Sequence, residues 1–229
     1  MHLTAIFEEW LLGDGCYPAL HRDQLVNLAF QVRPTAPVAE LLGAERFQSL
    51  PDGTCRVGGT LLQVYPTVQP PVAVLEAEGF RCYLQSPEVA GWPRGSRVAA
   101  EGTLAVDYYI WSESLADRYV DAPNLFYPLR VTRIRCVWIP EQFITRTERS
   151  VTSPAMVPLD EVAPEDIEEV ETMLEPRRVA RGAPLAEYAP AFFLVDLSDE
   201  GLPPGEIPHT HNFHRSARPR ATDATAGSP

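Results

Sequence analysis

His209, His211 and His214 stand in the run HTHNFH, and imidazoles at this spacing can ligate a transition metal when they converge. Catalytic metals, however, sit on rigid elements whose ligands are oriented by further hydrogen bonds. This cluster lies between a Pro-Gly pair and a tail of Arg, Pro and Ala, so adventitious metal affinity in a tail is expected, with no resident cofactor. Nucleophilic catalysis has little to work with. There is no G-x-S-x-G, and the only histidines ahead of the tail are His2 and His21, with Cys16 five residues before the latter. Gly13-Asp14-Gly15 lacks the remaining glycine of a dinucleotide loop. All 19 basic residues are arginine, which excludes a Lys Schiff base and a P-loop lysine. No residue is assigned a catalytic role, and an enzyme is the less favoured class.

A denser set lies between positions 108 and 138. Tyr108, Tyr109, Trp111, Tyr119, Phe126, Tyr127 and Trp138 are interleaved with Arg118, Arg130, Arg133 and Arg135. Stacking rings beside a basic groove hold single-stranded nucleic acid, at about 1–3 kcal/mol per base. The ligand-binding candidates are therefore Tyr108, Tyr109, Trp111, Arg130, Arg133 and Arg135. The competing reading, which the charge favours, is that the rings fill a core while the arginines pair with Asp107, Glu113, Asp117 and Asp121. The chain carries −12 at neutral pH, the opposite of a phosphate binder's footprint. A glycosidase-like pair among those four acids would need a fixed separation across a cleft, and surface acids are common.

The elements that must position these residues are strands. Leu25–Val32 places Val26, Leu28, Phe30 and Val32 on one face. Residues 55–65 carry Gly58-Gly59, which suggests a bulge or bend. Residues 72–77 and 80–85 flank Glu78-Gly79 as a hairpin. Residues 97–106 alternate, and Leu125–Ile139 alternates with a phase slip near Thr132–Arg133 that implies a bulge. Leu3–Leu12 is apolar on both faces, as in a strand covered on both sides. Helix signals are few: two turns over Val38–Arg46, and a helix over 164–175 with Pro164 first, Glu165 and Asp166 at its positive end, and a stripe of Ile167, Val170 and Leu174. The 23 prolines argue against a helical bundle. The expectation is an all-β protein.

Residues 55–139 resemble the OB-fold in outline. The features are the Gly-interrupted strand CRVGGTLLQVY, the hairpin VAVLEAEGFRCYLQ, the run GSRVAAEGTL, and a long closing strand LFYPLRVTRIRCVWI. The connection SPEVAGWPRGS is shorter than the helix that often joins the third and fourth strands. The resemblance implies a small five-stranded barrel and says nothing of function.

Charge divides the chain. Residues 1–150 hold 17 acids and 13 arginines, and residues 151–229 hold 14 acids and 6 arginines. The expectation is a β-barrel domain over 1–145 and an acidic, Pro-rich, partly disordered extension over 146–229. Within that extension, residues 188–197 (YAPAFFLVDL) form an apolar island. An extended apolar strand adds to a sheet edge, its own or a partner's; Phe192, Phe193, Leu194 and Val195 are the partner-docking candidates. Cys16, Cys55, Cys82 and Cys136 form no C-x-x-C pair; Cys82 and Cys136 sit inside apolar strand patterns, so buried free thiols are expected. No basic leader and no apolar run of about 20 residues is present, so a cytoplasmic protein with no membrane role is expected. Heavy use of Arg, Ala and Pro without Lys suggests a GC-rich bacterial genome. The leading expectation is a non-enzymatic binding or adaptor protein with a protein partner. The alternatives are a single-stranded nucleic-acid binder and a small metal-dependent hydrolase on the tail histidines.

Overall fold

The computed structural model describes residues 1–8, 10–13, 17–107, 110–115, 118–119, 122–123, 125–138, 159, 162–174 and 191–202. The protein is mainly β, as its alternation requires. The strands are β1 (His2–Glu8), β2 (Leu25–Leu28), β3 (Phe30–Pro34), β4 (Ala39–Glu40), β5 (Arg46–Ser49), β6 (Thr54–Tyr65), β7 (Val72–Ala77), β8 (Phe80–Gln85), β9 (Arg97–Val106), β10 (Tyr127–Trp138), β11 (Ile167–Val170) and β12 (Ala191–Ser198).

Five of them close a barrel. The ring runs β6, β7, β8, β3, β9 and back to β6. Every pairing in it is antiparallel except β3 with β8, where Gln31 lies opposite Tyr83 and Val32 opposite Leu84. Closure removes the edges that an open sheet would leave unpaired. The hairpin β7–β8 turns at Glu78 and Gly79, both at positive φ (52° and 81°), the turn hand that matches strand twist. The bulge in β6 falls between Leu61 and Gln63 rather than at Gly58-Gly59. Gly59 instead allows close approach: a Cβ there would sit 2.0 Å from the Glu76 carbonyl oxygen. At Gly102 a Cβ would sit 2.1 Å from that of Arg33.

The closing strand differs from the expectation. Leu125–Ile139 does not close the barrel; Phe30–Pro34 does. Alternation marks both segments as strands but does not say which neighbours they take. The single alternating run Leu25–Val32 is split at Ala29, where the Ala29 carbonyl accepts the Asp107 N–H. Its first half, β2, pairs β10 antiparallel; its second half, β3, enters the barrel.

From β9 the sheet continues outward. β1 lies parallel to β9 at Ile6 and Ala105, and β12 lies between β1 and β10, antiparallel to both. β11 pairs the far side of β10. The step in β10 between Val131 and Arg133 is the expected bulge. β1 is buried on both faces beyond His2, as expected, but the strand ends at Glu8 and does not run on to Leu12, because Trp10–Gly13 forms a short helical turn.

Two helical expectations are corrected. Among the described residues of 164–174, helical structure is confined to a 3-10 turn at Pro164–Asp166, and Ile167–Val170 is strand. Ile167 and Val170 serve opposite faces: Val170 enters the main core, and Ile167 packs with Val137, Val162 and Phe192. Pairing with β10 outweighs a helical stripe whose isolated helix would be marginal at that length. Over Val38–Arg46 the chain instead forms β4 against β9 and lays Leu41 on Gly58.

The main core is continuous from the barrel interior, through Phe30, Val57, Leu75, Cys82 and Leu104, to one face of the outer sheet at Phe7, Ile134, Phe193 and Val195. The charge step near residue 146 is thus no boundary in the sheet, because β11 and β12 are built from the acidic side of it. Among the described residues no helix is long and apolar enough to cross a membrane.

Candidate functional site

At the end of β9 the chain reaches Asp107, which is almost wholly buried. Its carboxylate accepts the N–H groups of Ile110 (3.1 Å) and Trp111 (3.2 Å), starting a single wide turn of π type at Ile110–Leu115. The Tyr17 hydroxyl donates to the Asp107 carbonyl at 2.6 Å. So anchored, the following segment crosses the outside of β7 and β8. Ile110, Leu115 and Leu125 pack on Tyr65, Val72, Val74 and Tyr83, with Trp111, Tyr119 and Phe126 half-buried at the margin. Trp111 meets Phe126 edge-on at 6.4 Å between centroids, and Tyr119 lies 4.6 Å from Tyr65. The Tyr119 and Thr67 hydroxyls are 2.6 Å apart. Burial, then Asp107, then Tyr65 push the Tyr83 phenol well above its ordinary range, so it stays a neutral donor toward the Pro123 carbonyl. These rings make a second core on the barrel's outer wall.

The arginines stand elsewhere. Arg133 bonds Glu169 of β11 through Nε at 2.8 Å. Arg135 bonds Asp196 of β12 at 2.8 Å, and Asp196 also accepts the Thr4 hydroxyl at 2.7 Å. Arg130 reaches two backbone carbonyls, Asp23 (3.2 Å) and Gly201 (3.4 Å), tying the end of β12 to the loop before β2. Trp111 therefore lies over β7–β8 while Arg133 and Arg135 lie across β10, β11 and β12. The proposed ring–arginine groove is not assembled from them. Tyr108 and Tyr109 fall outside the described residues.

The apolar island is occupied within its own sheet. Phe192 and Leu194 face Ile6, Ala105, Val137 and Val162; Phe193 and Val195 face the main core. All four side chains are buried, and both backbone edges of the strand are paired. A partner reaching them would have to displace β12.

His209, His211 and His214 also lie outside the described residues, as do Cys16, Asp117 and Asp121. Among the described residues no group of three His, Cys, Asp or Glu is placed to hold a metal. His2 is exposed, with Nε2 2.8 Å from Glu200, and His21 forms an isolated bridge with Thr172. Cys55, Cys82 and Cys136 are buried free thiols. Burial first, then Glu101 and Asp52, push Cys55 up to about 12; burial, then Cys55, push Cys82 higher still. Neither supplies a thiolate at neutral pH.

One polar cluster escaped sequence reasoning. Where β1 meets the barrel, Arg33 donates to both carboxylate oxygens of buried Glu8, at 2.6 and 3.3 Å. With its amide turned to suit the network, Gln31 accepts from the same guanidinium. The buried Thr103 hydroxyl beside Arg33 in register has no hydrogen-bond partner among the described residues. The available signal was an acid ending an otherwise apolar strand. Comparison with family models, curated proteins and solved structures finds no match for this chain.

Proposed function

We propose that this chain is a non-enzymatic binding or adaptor protein that works through protein–protein contacts. Its scaffold is read as an OB-like barrel in which the fifth strand comes from ahead of the other four. The observation that carries the reading is the occupied outer wall. OB-type barrels offer their second and third strands to oligonucleotides. Here the corresponding wall, β7–β8, is filled by the chain's own Ile110, Leu115 and Leu125. That leaves loops and rims for recognition, on a molecule of charge −12 suited to a basic protein surface. Affinity purification of the full chain from its host, eluted by a salt step, tests this. A stoichiometric protein released by salt is expected. Recovery of no protein above a tag-only control would overturn the reading.

Single-stranded nucleic acid is the second reading, favoured by Arg130, whose guanidinium meets only backbone carbonyls among the described residues, and by half-exposed Trp111. Fluorescence titration with an oligonucleotide at low salt decides it, since the electrostatic contribution is strongest there. Absence of binding under those conditions ends it.

A further inference from the structure

We draw no further inference here: the strongest candidate, the aromatic row at one end of the barrel that runs through Phe80 to half-buried Phe47 and Tyr127, has its ring faces occupied by one another, and nothing in the structure shows what covers it.

Discussion

Glu8 and Arg33 meet where the barrel joins the outer sheet, at a seam whose backbone register rests on one parallel pair, Ile6 with Ala105. A buried carboxylate loses its hydration, and its guanidinium partner restores only part of that. Removing one partner is therefore worse than removing both. Arg33→Met should cost about 3 kcal/mol in urea unfolding. Adding Glu8→Met to it should recover part of the loss. A double variant that is less stable by the full sum of the singles would mean that the two side chains do not interact. The thiols give a second residue-scale expectation. Burial pushes the Cys55 thiol from its ordinary 9.0 up to about 12 in the fold. The unfolded state thus loses its proton first, and the stability held below pH 9 declines as pH rises toward 12. Cys82 acts in the same direction. Urea midpoints should fall from about pH 8 to about pH 10.5, and Cys55→Ala should flatten part of the slope. An unchanged slope in that variant would remove Cys55 as a cause.

At the level of elements, β12 is the decisive strand. Phe193 and Val195 enter the main core, and Phe192 and Leu194 the opposite cluster, so both faces of the strand are engaged. Phe193→Ala should destabilise by about 3–5 kcal/mol, the usual cost of emptying a buried ring's site. A change below about 1 kcal/mol would mean that the strand packs loosely enough to serve as a detachable docking segment. How far such elements are legible in sequence follows from what alternation encodes. The β7–β8 hairpin and the slip at Val131–Arg133 were readable, because turn chemistry and period-two phase are local signals. The identity of the closing strand was not: Phe30–Pro34 and Tyr127–Trp138 are equally good strands, and only long-range pairing separates them. β11 was missed because Ile167 and Val170 serve opposite faces, a pattern that a short helix imitates. The candidate site was legible only as residue types. Seven aromatics in one stretch indicate a large apolar payload, but not whether the rings face a ligand or the molecule's own wall.

Across the whole molecule, a closed barrel and an open outer sheet share β9, and the strand that completes the outer sheet arrives from the acidic end of the sequence. Charge and packing thus follow different divisions. Acids outnumber arginines most strongly after residue 150, yet Ala191–Ser198 supplies a central strand. Without it, β1 and β10 each lose a backbone partner, and the apolar faces of Leu3, Ile6, Ile134 and Val137 open to water. Unpaired strand edges beside exposed apolar surface are a route to association. A chain ending at residue 190 should therefore lose its cooperative unfolding transition, bind a hydrophobic dye and aggregate. Supplying a synthetic peptide of residues 191–202 in trans should restore the β signal in circular dichroism, with a midpoint that rises with peptide concentration. If the shortened chain unfolds at the same denaturant concentration and with the same slope as the full protein, β12 contributes no stability and the barrel stands without the outer sheet.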